Sequence, residues 1–356
     1  MPKAIVIGSG FSGLAASSFL AQKGWDVTVL EKHSLPGGRA RKMEVKGFTF
    51  DMGPSWYWMP DVFERYFAQF GKKVSDYYHL HRLDPSYRVY FKKDLLDVAA
   101  DYEQLKLSFE KMEPGSGAKL DAFMSEAAYK YKVGINKLVF KPGLSVTEFL
   151  DAELATGLFK LDVFNSMSKH VRKFFKDERL IELMEFPVLF LGALPQHIPA
   201  LYSLMNFADV KLGTWFPQGG MYSIVDGMYR LAKELGVKFL FEQNVSAIKV
   251  ENGKATGVQV ESEVYTADIV ISSADYHHTE TKLLEPHYRS YSVDYWNKRV
   301  MAPSCLLYYV GINKKLKSVP HHMLFFDTDF KRHGSEIYTH PQWPTDPLFY
   351  VSVTTV

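Results

Sequence analysis

Residues 4–31 read AIVIGSGFSGLAASSFLAQKGWDVTVLE. Residues 4–7 are short and wholly apolar, the pattern of a strand buried on both faces, as in a parallel sheet. The chain then turns through Gly8-Ser9-Gly10-Phe11-Ser12-Gly13, and residues 11–23 read as a helix stopped by Gly24. Residues 26–30 form a second apolar strand, which runs into Glu31 and Lys32. Strand, glycine turn, helix, strand and acid make one βαβ unit. The expected class is α/β with a Rossmann-type nucleotide domain.

Each glycine has a physical role in that reading. Gly8 turns the backbone sharply off the strand. Gly10 has no Cβ, so a pyrophosphate can approach the main chain. Gly13 lets the helix pack closely on the sheet, beside the small Ala15, Ala16 and Ser17. The pyrophosphate sits at the helix N-terminus, where N–H groups and the dipole favour an anion. Glu31, 18 residues after Gly13, can accept hydrogen bonds from ribose hydroxyls. These features allow FAD or a nicotinamide. Residues 35–41, LPGGRAR, add Gly37, Gly38, Arg39 and Arg41, and a second anion-contacting loop suits an extended FAD. Residues 47–55, GFTFDMGPS, run a short strand into a tight turn at Gly53-Pro54-Ser55 that can press against a flat ring.

The segments GSGFSGLAA, LEKHSLPGGRAR and GFTFDMGPS together resemble the bacterial-type carotenoid (phytoene) desaturases, within the wider group of FAD-dependent amine-oxidase-like proteins. The resemblance continues through GTWFPQGGMYSIVDGM (213–228) and ADIVISSAD (267–275) and spans nearly the whole chain. It implies a glutathione-reductase-like FAD domain of residues 1–75 and 206–275. An inserted α+β substrate domain, facing the membrane, takes 76–205 and 276–356. The implied cofactor contacts are Gly8, Ser9, Gly10, Phe11, Ser12, Gly13, Glu31, Lys32, Gly37, Gly38, Arg39, Gly53, Pro54 and Ser55, with the backbone at Val245 against the adenine. The implied reaction desaturates a long, apolar polyene such as phytoene, with hydride passing from an allylic carbon to flavin N5. The terminal acceptor stays open between quinone and oxygen. Because the allylic cation is delocalised, a strong base is not obligatory, and no catalytic acid or base is assigned. Asp51 and Asp275 read best as caps or as ribose or backbone contacts. The family extends further at its C-terminal end, with a glycine-rich segment and helix beside the flavin, so the sequence is expected to be C-terminally incomplete. Two alternatives share the N-terminal motifs: a related FAD oxidase acting on an amine or porphyrinogen, and an inactive FAD-domain fragment.

Composition narrows the classes. With 356 residues the chain can bury a large core and hold about two domains. The 26 Phe and 21 Tyr suit a large apolar site as well as a core. A net charge of +2 gives no footprint for nucleic acid. The single Cys305 excludes an internal disulfide and a Cys-pair zinc or redox site. The N-terminus enters a strand within four residues, so no signal peptide is expected and the implied compartment is cytoplasmic. Residues 130–176 carry nine Lys/Arg against four acids, interleaved with Leu158, Phe159, Leu161, Phe164, Val171, Phe174 and Phe175. That mixture suits peripheral attachment to an anionic membrane, and equally an ordinary amphipathic helix. The apolar run 186–195 is too short to span a bilayer and reads as core or tunnel wall. His79/His81, His277/His278 and His321/His322 lack metal-ligand company, so no metal is expected.

Elsewhere the pattern predicts helices at 61–70 (capped by Asp61), 102–112, 119–131 and 221–235. Strands are predicted at 87–91, 237–241, 246–250, 256–260, 268–271, 308–311 and 348–353, with Asn252-Gly253 as a hairpin turn.

Overall fold

The computed structural model describes residues 1–145 and 161–355. The chain divides into two compact units, one of Met1–His81 with Phe216–Met301, the other of Arg82–Trp215 with Ala302–Val356. Residues 76–81, 206–215 and 276–301 lie on the other side of these divisions from the boundaries drawn on sequence.

The frame of the first unit is a four-stranded, all-parallel sheet. Its spatial order is Ile269–Ser272, Lys3–Ile7, Asp26–Leu30, Lys238–Leu240. In chain order these are strands four, one, two and three, so the order reverses beside Lys3–Ile7. Open α/β sheets bind ligands at such a switch point, outside the carboxyl ends of the strands. Side chains of the first strand alternate between two buried layers. Ala4 and Val6 join Val27, Val29, Ala232 and Val237 under the helices Phe11–Gln22 and Tyr222–Glu234. Ile5 and Ile7 join Leu30, Val245, Val258 and Val260 under an antiparallel sheet of Val245–Glu251, Lys254–Val260 and Glu263–Thr266. A strand covered on both faces has no wet side, which is why residues 4–7 are apolar without alternation. Each fully buried aliphatic here contributes roughly 1.5–3 kcal/mol. Val6→Asp would place an unpaired carboxylate in the helix-side layer.

Several local expectations hold in this unit. The strand Asp26–Leu30 matches its predicted bounds, and Asn252 and Gly253 both have positive φ (50° and 76°), as a two-residue hairpin turn requires. The helix expected at 61–70 instead starts at Pro60. Asp61 is not its cap: Met59, left-handed at φ 60°, holds the N-cap position, and Pro60 pre-sets the first helical turn.

The second unit is built on a mixed sheet ordered Phe349–Ser352, His322–Phe326, Tyr87–Phe91, Leu95–Val98. His322–Phe326 runs parallel to Tyr87–Phe91, and the outer pairs are antiparallel. Stacked rings of Tyr90, Phe325 and Phe349 tie three of the strands together, with centroids 4.7 and 4.1 Å apart. Its longer helices among the described residues include Tyr102–Met112, Ser116–Val133, Met167–Phe174 and Glu178–Glu185. Residues 308–311 form no strand, and Leu306, Leu307, Tyr308 and Val310 are exposed. The sheet takes His322–Phe326 in their place: His322 is fully buried and its Nδ1 lies 2.6 Å from the Tyr350 hydroxyl. Leu158, Phe159 and Lys160 lie outside the described residues.

Candidate dinucleotide-binding site

The glycine turn is built where the first strand meets the fourth. Gly8 adopts φ +89° and donates its N–H to Leu30 O at 2.8 Å. Ser273, just past the fourth strand, donates its hydroxyl to Gly8 O at 3.1 Å and its N–H to Ile7 O at 2.9 Å. A Cβ on Gly13 would lie 2.1 Å from Gly8 O, so strand and helix approach only because that atom is missing. Gly8 and Gly13 are therefore required by the fold itself.

Gly10 is different. It sits at φ −69°, ordinary for any residue, and a Cβ there would meet only Gly38 Cα, at 3.9 Å. The protein has room for a Cβ at this position, so its own packing does not require a glycine here, and the missing Cβ leaves the backbone open to close approach. The helix that follows supports this. Phe11–Gln22 starts with no capping side chain and no acid in its first turn. Its opening N–H groups and the positive end of its dipole can receive an anion. These residues fit the diphosphate of a dinucleotide.

The second glycine loop meets the first backbone to backbone. Gly37 (φ +123°) donates its N–H to Ser9 O at 2.9 Å, and a Cβ on Gly38 would lie 3.1 Å from Gly10 Cα. Arg39 points its guanidinium into solvent, 3.7 Å from the exposed carboxylate of Asp275. Gly53 packs on the same loop, since a Cβ there would lie 2.0 Å from Arg39 O. Pro54 is exposed and Ser55 half-buried beyond it.

Glu31 is 3% exposed and already engaged. One oxygen accepts the N–H and hydroxyl of Ser9, at 2.9 and 2.6 Å, and the other accepts the N–H of His33 at 3.0 Å. A carboxylate has about four acceptor positions, so capacity for a ribose hydroxyl remains while the acid also braces the phosphate turn. Lys32 next to it is exposed. Gln243 donates its N–H to Glu31 O at 2.8 Å, and this brings the start of Val245–Glu251 to the acid. Val245 itself is buried against Leu30. Phe11 packs edge-on to Phe63, and Ser12 is exposed on the first turn. Asp51 and Asp275 both accept helix-opening N–H groups, from Met221 and Tyr222 and from His278 respectively. The sequence reading missed Ser273 and the hydroxyl of Ser9. A hydroxyl at the carboxyl end of a parallel strand is a weak signal until the strand order is known.

Residues 11–316 match the family of flavin containing amine oxidoreductases. The chain belongs to that family. It is a flavin oxidoreductase, similar to a carotenoid 3,4-desaturase from Haloarcula japonica at 40% identity, over 98% of this chain and 71% of that one. It is 36% identical to a zeta-carotene-forming phytoene desaturase from Myxococcus xanthus, over 99% of this chain and 68% of the relative. Among solved structures, an oxidoreductase from Methanosarcina mazei superposes with a TM-score of 0.54 at 21% identity, covering 79% of this chain and 61% of that one. Putrescine oxidase bound to putrescine superposes with a TM-score of 0.54 at 16% identity, covering 80% and 60%. At those identities the structures share the fold alone. This chain spans less than two thirds of either.

Proposed function

We propose that the chain carries out FAD-dependent desaturation of a long isoprenoid such as phytoene or a related carotenoid, collected at a membrane surface. The observation that carries the cofactor is Gly10, a side-chain-free position that the fold does not need, at an uncapped helix N-terminus. FAD is favoured over a nicotinamide by the second glycine loop, which meets the first at Gly10 and Gly38. The helix-opening N–H groups and the Gly37-Gly38 loop would hold the diphosphate, and Glu31 would hold a ribose. The chemistry that a bound flavin supplies is acceptance of hydride at N5 from an allylic carbon, with a proton leaving the neighbouring carbon. The two named relatives support the substrate class. The first unit is assigned to FAD and the second to the substrate. Product analysis after coexpression with a phytoene-producing pathway tests this: new conjugated double bonds are expected, and unchanged phytoene would reject it. Titration by flavin fluorescence quenching tests the cofactor, and binding of NAD or NADP with no affinity for FAD would reject it.

The membrane reading rests on the second unit, and on only part of the residues the sequence suggested. Leu161, Val171 and Phe175 are buried, and Lys130 is wholly buried, its ammonium held by Ala200 O, Ser203 Oγ and His170 Nε2 at 3.1, 3.2 and 3.3 Å. Among the described residues of 130–176, the exposed apolar side chains are Val139, Phe140, Leu144 and Phe164, with Lys137, Lys141, Lys169 and Lys173 near them in sequence. Among the described residues no helix is long and apolar enough to cross a membrane. Surface attachment of this kind weakens with salt. Co-sedimentation with anionic liposomes should fall as ionic strength rises, and equal, negligible binding to neutral and anionic lipid would reject it.

A further inference from the structure

The helix Tyr222–Glu234 opens without a cap of its own: Met221 holds the N-cap position and its side chain makes no capping bond. The carboxylate of Asp51, 170 residues earlier in the chain, takes that role. Its Oδ2 accepts the N–H of Met221 at 2.8 Å and its Oδ1 accepts the N–H of Tyr222 at 2.9 Å. Gly220, at φ +96°, clears the space, since a Cβ there would lie 2.8 Å from Oδ2.

Asp51 stands between two supports of the second glycine loop. Asp51 ends the strand Phe48–Asp51, which pairs with Lys42–Val45 in a hairpin; just beyond it Met52 donates its N–H to Arg41 O at 2.7 Å, and Gly53 packs on Arg39 O. On the helix, Val225 Cγ1 comes within 3.3 Å of where a Gly37 Cβ would be. The loop between these supports is the one that bonds Ser9 through Gly37 and touches Gly10 through Gly38. A helix needing only stability could be capped by a neighbour in sequence, as Asp101 caps Tyr102–Met112 by accepting the Gln104 N–H at 2.8 Å. Here the cap comes from the hairpin that carries the loop's other support.

We propose that Asp51 is a positioning residue for the nucleotide: by closing the N-terminus of Tyr222–Glu234 it fixes the 37–41 loop against Gly10 and sets the shape of the cradle. This rests on the cradle being the FAD site. Asp51→Ala removes both acceptors. Asp51→Asn keeps one accepting oxygen and turns an amide N–H₂ toward the other helix N–H.

The test compares Asp51→Ala, Asp51→Asn and Asp101→Ala with wild type, by FAD titration and urea denaturation. Asp51→Ala is expected to weaken FAD binding about ten-fold, and Asp51→Asn less. Asp101→Ala should lose comparable stability and bind FAD as wild type does. Equal FAD affinity in wild type and both Asp51 variants overturns the proposal. So does an equal loss of affinity in Asp101→Ala, because the effect would then be one of stability alone. If Asp51→Ala does not fold, Asp51→Asn is judged by the same criteria. Wild-type protein without FAD affinity overturns the site reading and the proposal together, and is told apart because no variant then differs.

Discussion

One helix of the first unit starts differently from the longer helices of the second. In the second, Tyr102–Met112, Met167–Phe174 and Glu178–Glu185 each begin beside an acceptor: Asp101, Ser166 and Asp177 take the N–H groups of Gln104, Lys169 and Arg179. Ser116–Val133 starts from Gly115, and Glu110 supplies the acceptor, taking the N–H groups of Gly115 at 2.7 Å and Gly117 at 3.0 Å. In the first unit, Phe11–Gln22 begins with nothing comparable. Unpaired N–H groups at a helix start are left open only to water or a ligand. Those four helices of the second unit are closed from within the chain, as Tyr222–Glu234 of the first is by Asp51, and Phe11–Gln22 is not.

The largest expected effect comes from Gly13→Ala, which breaks the comparison by breaking the unit. The new Cβ would fall 2.1 Å from Gly8 O, which is backbone and cannot swing aside. A loss of about 3 kcal/mol is expected by chemical denaturation, and a loss below 0.5 kcal/mol would show that helix and strand can slide apart. Gly10→Val sharpens the comparison instead. Its Cβ meets nothing nearer than Gly38 Cα at 3.9 Å, so stability should change less than in Gly13→Ala. Flavin affinity should fall on the order of a hundred-fold, ~2.7 kcal/mol. Retained affinity would show that the open helix end is not the phosphate site.

Much of the first unit was legible because its constraints are local. The bend at Gly8, the close approach at Gly13 and the apolar run 4–7 are each signalled within a few residues. The role of Glu31 was only half legible, since its bonds to Ser9 and His33 depend on how the second strand brings it back to the turn. Asp51 was readable as a cap, but not which helix it caps, because its partners are 170 residues away. The second unit was harder for the same reason. Its sheet pairs His322–Phe326 with Tyr87–Phe91, across more than two hundred residues, and no turn signal marks such a partner. Residues 308–311 have the stronger β-forming composition and form no strand. Lys130 was counted as surface charge. Its burial depends on Ala200, Ser203 and His170, none of them near it in sequence.

A smaller effect is expected for Asp101→Ala in the second unit. Removing the acceptor of the Gln104 N–H should cost about 1 kcal/mol, seen as a lower urea midpoint at unchanged slope. No loss of stability would mean that water replaces the cap, and the contrast between the units would then be one of sequence habit and not of energy.

The smallest effect concerns pH and separates charge from hydrogen bonding at these termini. The two N–H bonds from Gly115 and Gly117 hold the Glu110 carboxyl below its ordinary value of 4.5. A carboxyl lowered in the folded state adds stability that is fully present above its unfolded value and is lost as pH falls through the folded one. Glu110→Gln keeps one accepting oxygen and removes the titrating charge. The gap in urea midpoint between wild type and variant should therefore be widest near pH 7 and should narrow as pH falls below about 4.5. Taking the difference between the two proteins cancels the other carboxylates of the unit, among them Asp121 and Asp177, which are also held low by their partners. A gap that stays constant across this range would mean that the cap acts through geometry alone. The open end of Phe11–Gln22 has no acid in its first turn to titrate, so a pH-dependent gap at Ser116–Val133 would mark the difference between a terminus closed by the chain's own charge and one without such a charge.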